Sequence, residues 1–269
     1  MTYTSPWADL AEQRHFSVTA DQDWAPEWAT RFLLEWAEER EIPLHFFTTN
    51  PSETILGAYR VGRVGLGWHP NFLRQSTHGT TEAEVVAHMA GFAPDVRSVR
   101  SHAFSESSLA WSALEGAGIT VDSQGPSDMA GYLVPFVHAS GIVRFPVWFE
   151  DDVWLKNLPE DADPAMLWPS FDTPGLKILN LHPIHMALNT PTFEYYDELR
   201  PRLYAEDAAD IPSAPWGVRD VVEAIVDRVR DSGETFHPFE ELADKGLTLA
   251  QASPVLSLSR VAARTVLTR

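Results

Sequence analysis

The chain has 269 residues, of which 44% are hydrophobic and 22% charged, and these ordinary globular proportions exclude a disordered or fibrous protein. Its 20 Lys and Arg residues face 38 Asp and Glu, so the formal charge of −18 would repel nucleic-acid phosphates and anionic lipid surfaces. We therefore predict neither nucleic acid nor membrane as a partner. Cysteine is absent, which leaves His, Asp, Glu, Asn or water as metal ligands.

The N-terminal residues 1–14 lack the basic and apolar segments of a leader peptide, and no run of 18 apolar residues occurs. This pattern predicts a soluble, cytoplasmic protein. The length permits one large α/β domain or two small ones, and no low-complexity tract or fixed repeat divides the chain. We predict a single domain over residues 1–269.

The first predicted strand is the apolar run 15–20, and Pro26 suits the start of the next helix because proline lacks an N–H. Apolar residues at helical spacing predict that helix over residues 28–40, and a short buried strand follows at 43–48. Further strands are predicted at 63–68, 97–102, 119–122, 143–149 and 176–181, with helices at 81–91 and 107–116.

This alternation of strands and helices indicates a parallel sheet, and so many units favour closure into a barrel, with an open doubly wound sheet as the alternative. After His182 the pattern becomes helical, and one helix is predicted to end at Gly233. The Pro- and Asp-rich segment 204–216 is predicted to be a surface connection. The apolar stripe of the helix consists of Val218, Val221, Val222, Ile225 and Val229.

Polar residues follow the predicted strands, and strand ends converge on one face of a barrel, where active sites lie. Each residue alone has an ordinary structural explanation, but their shared position predicts a functional site. These residues are Asp21, Asp23, His69, Arg100, His102, Asp122, residues 150–152, His182 and His185.

Asp21 and Asp23 are two residues apart, so an extended backbone would direct both carboxylates to one side. Two carboxylates at such a short distance require a cation nearby if both are to ionise in a pocket of low dielectric. The alternative is that they cap the helix that begins near Pro26. His69 could coordinate the same cation, or could be a structural histidine bonded to backbone. Asn71 would add an oxygen ligand or fix the loop.

The acidic and aromatic cluster 148–152 suits the binding of hydroxyl and amine groups of a sugar-like ligand. Trp24 and Trp68 flank the predicted ligands and are the tryptophans best placed to contact substrate, although core packing is the alternative for any tryptophan.

Six segments in this order resemble the polysaccharide deacetylase, or NodB-like (carbohydrate esterase family 4-like), domain over about residues 14–190. They are SVTADQDWAP (17–26), IPLHFFT (42–48), GWHP (67–70), RSVRSH (97–102), GAGITVDS (116–123) and KILNLH (177–182). The sequences WFEDD (148–152) and HPIH (182–185) are closest to the WbmS-like branch. The resemblance implies an α/β fold: a distorted (β/α) barrel of the polysaccharide deacetylase type. It would have a catalytic core at about 14–190 and extra C-terminal helices in an extension at about 191–269.

The resemblance also implies roles for five residues. Asp21 would be the general base, Arg100 would orient it, and His182 would protonate the leaving amine. Asp23 and His69 would be metal ligands. The four residues expected to bind substrate are Trp24, Glu150, Asp151 and His185.

One position departs from the family pattern. The family has a second metal-binding histidine four residues after the first, and this chain has Leu73 at that position. We choose His102 as its replacement, with Asn71 and His78 as competitors. If none of them substitutes, the site would bind metal weakly or the protein would have lost catalysis. The non-enzyme alternative is a catalytically inactive carbohydrate-binding homologue that keeps the fold.

Together these features predict a metal-dependent deacetylase, a hydrolase of C–N bonds other than peptide bonds. It would remove an N-acyl group, most simply acetyl, from an amino sugar or sugar-containing metabolite, so its partner is a small-molecule or glycan substrate. One divalent ion is expected, with zinc favoured over cobalt, manganese or nickel. A second enzyme hypothesis keeps the metal and the fold but changes the bond cleaved to another C–N bond or an ester.

Overall fold

The computed structural model describes residues 7–157, 159 and 162–252. Its strands are β1 (Arg14–Asp21), β2 (Leu44–Thr48), β3 (Gly65–Trp68), β4 (Ser98–Val99), β5 (Val121–Asp122), β6 (Phe136–Val137), β7 (Val143–Arg144), β8 (Phe149–Glu150) and β9 (Gly175–Leu181). Its helices are α1 (Ala8–Ala11), α2 (Glu27–Glu39), α3 (Glu53–Arg60), α4 (Glu82–Phe92), α5 (Ser108–Gly116), α6 (Asp151–Asn157), α7 (Trp168–Phe171), α8 (Pro183–Leu188), α9 (Phe193–Leu199), α10 (Val218–Asp231) and α11 (Phe239–Ala252).

The described strands form one curled half-barrel sheet in the order β6-β7-β5-β4-β3-β2-β1-β9-β8. Neighbouring strands run parallel, except that β6 is antiparallel to β7. Because these strands run parallel, their carboxyl ends lie along the same edge of the sheet. The distorted α/β barrel predicted above is confirmed.

The prediction of one continuous strand at 143–149 is wrong. The run contains β7 next to one edge of the sheet and β8 at the other, separated only by residues 145–148. The amide of Phe145 donates to the backbone carbonyl of Asp122 at 2.8 Å, and the amide of Trp148 donates to the backbone carbonyl of Ile178 at 2.8 Å. A straight strand cannot pair at both ends of the sheet, so the chain bends at residues 145–148 and passes from one end of the half-barrel sheet to the other.

The central strand β1 is almost completely buried, as expected for a parallel strand covered on both faces. One face carries Phe16 and Val18, which pack in a core that includes the apolar stripe of α10. That stripe was predicted from the sequence, and its five residues are all buried in α10. Helix α3 was not predicted, although its N-cap signal is present: the Ser52 hydroxyl accepts a hydrogen bond from the amide of Ile55.

Helix α11 packs at the amino ends of the strands. The ring of Phe239 lies 4.9 Å from His45 and 5.7 Å from Phe145, and Glu240 approaches His45 Nδ1 to 2.7 Å. A side chain at Gly65 would collide with Glu240, so glycine leaves the space for this ion pair. Among the helices of the described residues, none is long and apolar enough to cross a membrane.

Candidate metal and catalytic site

The polar residues predicted at strand ends do meet at the carboxyl edge of the sheet. Asp21 is the last residue of β1, and His69 follows β3. Arg100 follows β4, and His182 follows β9. Because these strands are parallel, residues that are far apart in sequence arrive at one site.

Asp23, His69 and His102 offer ligand atoms that all lie within 4.8 Å of one another. Asp23 Oδ1 is 2.9 Å from His69 Nε2 and 2.8 Å from His102 Nδ1. His69 is only 1% exposed, and neither of its ring nitrogens has a hydrogen-bond partner. Its Nδ1 lies 3.5 Å from Asp21 Oδ1. A buried imidazole facing carboxylates without hydrogen bonds suits a cation between them, so this mixed O and N set fits a divalent ion such as zinc.

The charge of Asp23 also suits a ligand. Burial by itself raises the pKa of Asp23, but the hydrogen bond with His102 and the imidazole of His69 close by outweigh it and hold the pKa well below its usual value. Asp23 is therefore an anion at neutral pH, which is the form that coordinates metal.

The prediction that an extended backbone brings Asp21 and Asp23 together is wrong in its geometry. Asp23 and Trp24 have φ angles of 44° and 54°, in the left-handed region, so the chain turns directly after β1. Both carboxylates nevertheless face His69. The capping alternative fails, because Pro26 is the N-cap of α2 and no side chain caps it.

The two competitors of His102 shape the loop after β3. Asn71 Oδ1 accepts from the amide of Leu73 at 2.9 Å, and His78 Nδ1 accepts from the amide of Asn71 at 3.0 Å. Within the described residues, the group of histidine and carboxylate ligand atoms around Asp23 includes His102 and does not include His78.

Arg100 is fully buried, and its guanidinium fixes the position of Asp21. Nη1 donates to Asp21 Oδ1 at 2.9 Å, while Asn180 Nδ2 donates to Asp21 Oδ2 at 2.8 Å. The underside of the guanidinium lies 4.4 Å from the centre of the Phe47 ring. The hydrogen bonds of Arg100 go to the side chains of Asp21, Asn180 and Thr19 and to the carbonyl and hydroxyl oxygens of Ser123.

His182 is held by Asp151 at two points. Its amide donates to Asp151 Oδ2 at 2.6 Å, and its Nδ1 lies 2.6 Å from Asp151 Oδ1. The other nitrogen, Nε2, is 3.6 Å from Asp23 Oδ2 and so faces the proposed metal ligands. Burial alone would lower the pKa of His182, but the carboxylates of Asp152 and Asp151 raise it well above its usual value. His182 is therefore protonated at neutral pH.

The four predicted substrate-binding residues lie in different surroundings. His185 is buried, with Nε2 3.0 Å from Asp152 Oδ1 and Nδ1 3.0 Å from Thr190 Oγ1. Asp151 is completely buried against His182. Burial raises the pKa of Glu150 to about 8, so this carboxyl is neutral at pH 7. Their roles toward substrate stay predictions.

Trp24 and Trp68 differ in position. The ring of Trp24 lies 5.1 Å from that of His102, at the edge of the site. Trp68 is 1% exposed and donates to the carbonyl of Ala93 at 2.8 Å, so it is a core residue and does not line the site. Asn180 was missed, although an asparagine inside the apolar strand 176–181 is a signal that could have revealed it.

Comparisons with known proteins identify the family and the fold of the chain. The family model of WbmS-like polysaccharide deacetylases matches residues 18–200. The structure of WbmS from Bordetella bronchiseptica, described as a polysaccharide deacetylase involved in O-antigen biosynthesis, is 24% identical with a TM-score of 0.70. The match covers 82% of this chain and 91% of WbmS, and it shows a common fold.

Two other solved structures are more distant. A family 4 acetyl xylan esterase from Clostridium thermocellum, in complex with a cobalt ion, is 12% identical, with 88% of this chain and 92% of the esterase covered and a TM-score of 0.46. A peptidoglycan N-acetylglucosamine deacetylase is 11% identical, with 84% and 86% covered and a TM-score of 0.47. No curated protein matches the sequence. Because the family model covers more than half of the 269 residues, this chain belongs to the WbmS-like polysaccharide deacetylase family.

Proposed function

We propose that this protein is a metal-dependent hydrolase that removes an N-acetyl group from an amino sugar. The observation that carries the proposal is the buried His69, whose two unpartnered ring nitrogens face the carboxylates of Asp23 and Asp21. Asp23, His69 and His102 would hold one divalent ion, with zinc favoured because the set combines nitrogen and carboxylate ligands. Bound there, the ion would supply Lewis-acid activation of water and of the acyl carbonyl.

The two proton transfers of the proposed reaction would be carried out by side chains of this protein. Asp21 would accept the proton of the attacking water, because both of its oxygens are held in place by Arg100 and Asn180. His182 would donate a proton to the departing amine from Nε2, since Asp151 engages Nδ1 and keeps the ring in that orientation. The base and the acid therefore reach the site from different strand ends, so that one residue would serve the attack of water and another the departure of the amine.

The first experiment separates the base from the ligands. We expect Asp21→Asn to retain metal and lose about 10²–10⁴-fold in turnover, whereas Asp23→Ala and His69→Ala lose the metal itself. Elemental analysis and calorimetry after chelation measure binding, and acetate release from acetylated sugars measures turnover. Equal metal loss in all three variants would show that the roles within the pair are assigned wrongly. Failure to bind Zn, Co, Mn or Ni would sink the enzyme proposal and favour an inactive carbohydrate-binding homologue.

The second experiment tests the acid and the type of bond. Amines leave only when protonated, whereas nitrophenolate leaves without help, so His182→Ala should impair an N-acetyl amide far more than a nitrophenyl acetate. His185→Ala is the matched control, because His185 is also buried but contacts Asp152 and Thr190. If His182→Ala slowed both substrates equally and His185→Ala were selective for the amide, His185 would be the acid. Faster turnover of sugar esters than amides by the parent protein would favour ester hydrolysis.

A further inference from the structure

Glu150 is the last residue of β8, and its carboxyl group lies beside both the proposed base and the proposed acid. Asp21, Glu150 and His182 each offer one oxygen or nitrogen atom, and these three atoms all lie within 4.8 Å of one another. Glu150 pairs in register with Asn180, whose Nδ2 donates to Asp21 Oδ2 at 2.8 Å and to Glu150 Oε1 at 3.4 Å. The register of β8 and β9 therefore joins Glu150 to the base through one side-chain amide.

The proposed reaction leaves the base and the acid in the wrong protonation states. Asp21 takes one proton from the attacking water, and His182 gives one to the departing amine. Neither can act again until one proton has moved from Asp21 to His182. Asp151 engages Nδ1 of His182, so the proton has to return to Nε2. Asp21 and His182 are only 2% and 6% exposed, so bulk water has poor access to both, and a group inside the protein offers the shorter route.

The chemistry of Glu150 suits this transfer. Burial is the largest cause that raises the pKa of Glu150 to about 8; the charge of His182 opposes it, and the carboxylates of Asp21, Asp152 and Asp151 add to it. Glu150 therefore holds a proton at neutral pH. A carboxyl group can release a proton from one oxygen while it accepts another on its second oxygen. A separation of up to 4.8 Å can be crossed through one water molecule, since two hydrogen bonds of about 2.8 Å span it.

We propose that Glu150 is a proton relay, which returns one proton from Asp21 to His182 after each turnover. The O–H bond of Glu150 breaks and an N–H bond forms at His182 Nε2, while the O–H bond of Asp21 breaks and a new O–H bond forms on Glu150. Asp21 becomes a carboxylate and His182 an imidazolium, and Glu150 is neutral before and after. This inference rests on the proposed function, and it gives Glu150 a role other than substrate binding.

The first measurement requires no activity. Glutamine has the size of glutamate but no acidic proton, so the infrared difference spectrum of the chelated parent protein and Glu150→Gln isolates this carboxyl group. The parent should show the absorption of a protonated carboxyl at pH 7, and the absorption should disappear as the pH rises past 8. An ionised carboxylate at pH 7 would overturn the relay, because Glu150 would then have no proton to give.

The second measurement follows acetate release after rapid mixing of the zinc-loaded protein with an N-acetylated amino sugar. In Glu150→Gln, Asp21 and His182 begin in the correct protonation states. The first acetate per protein molecule should therefore be released within about twofold of the parental rate, and each later one at least about tenfold more slowly. A merely structural defect would slow the first turnover as well, so this burst distinguishes the relay from a loss of structure.

Glu223→Gln is the matched control. Glu223 is a partly buried glutamate of α10 that accepts hydrogen bonds at 2.7 Å from Trp36 Nε1 and Arg40 Nη2, and Glu223→Gln should show the parental rate throughout. A first turnover of Glu150→Gln as slow as the later ones, or an unchanged steady state, would overturn the relay and leave the deacetylase proposal intact. A parent protein that releases no acetate would overturn the deacetylase proposal itself, and the relay with it.

Discussion

Replacement of Arg100 by methionine removes a buried cation on which Asp21 depends. Methionine has a similar length but donates no hydrogen bond, so Asp21 keeps only the 2.8 Å bond from Asn180. A buried carboxylate that loses its charged partner costs about 3–5 kcal/mol, out of about 5–15 kcal/mol for a typical folded protein. At about 2–4 °C per kcal/mol, we expect the melting temperature of Arg100→Met to fall by about 6–20 °C.

Urea and thermal unfolding of the chelated protein measure this loss without a contribution from bound metal. Arg97→Met is the matched control, because Arg97 pairs with Asp244 through side chains that are 41% and 65% exposed, and its loss should cost at most about 1 kcal/mol. The double variant Arg100→Met with Asp21→Asn leaves no unpaired buried charge at this position. It should therefore recover part of the stability that Arg100→Met loses. A loss below about 1 kcal/mol in Arg100→Met, or a double variant as unstable as the sum of its parts, would refute this account.

Three further outcomes follow from the structure. His102→Ala should lower zinc affinity more than about 100-fold and His78→Ala less than about tenfold, in competition with a zinc indicator; the reverse order would make His78 the ligand. Burial lowers the pKa of Lys177 to about 8 from 10.5, so between these values the unfolded chain binds a proton that the folded chain has released. Stability should therefore rise with pH across that window in urea unfolding, and less so in Lys177→Met. Burial raises the pKa of Glu240, but the charge of His45 outweighs it and lowers the pKa to about 2 from 4.5. The stabilisation that ionised Glu240 contributes is present above pH 4.5 and is lost as the pH falls toward 2. The free energy of unfolding of Glu240→Gln should therefore fall less steeply with acid than that of the parent.

The sequence predicted those parts of the fold that local patterns determine. The apolar stripe of α10 follows from helical periodicity, and β1 and β9 follow from short apolar runs, which are typical of strands buried on both faces. Residues 143–149 could not be divided correctly in this way. Their apolar character reports burial, but whether they pair with one neighbour or with both edges of the sheet depends on closure of the barrel.

The candidate site also contains residues that the sequence predicted and one that it did not. Strand-end position was enough to select Asp21, His69, Arg100 and His182, because parallel topology brings carboxyl ends together. It did not reveal Asn180, which lies inside a strand and contributes through its hydrogen bonds with Asp21 and Arg100. Contacts of that kind depend on register between β1 and β9, which no local pattern contains.

His102 illustrates why strand-end position can substitute for a fixed spacing in sequence. The family pattern would place a histidine at Leu73, but this side chain is 43% exposed. β3 and β4 are adjacent, with Trp68 opposite Val99, and the amide of His102 donates to the carbonyl of Pro70 at 3.0 Å. That bond extends the pairing of the two strands into the loops beyond them and brings the ring of His102 within 5.5 Å of His69. The neighbouring strand end can therefore place His102 where we propose that it replaces the missing ligand, because the sheet, and not the spacing in sequence, sets the distance between His69 and His102.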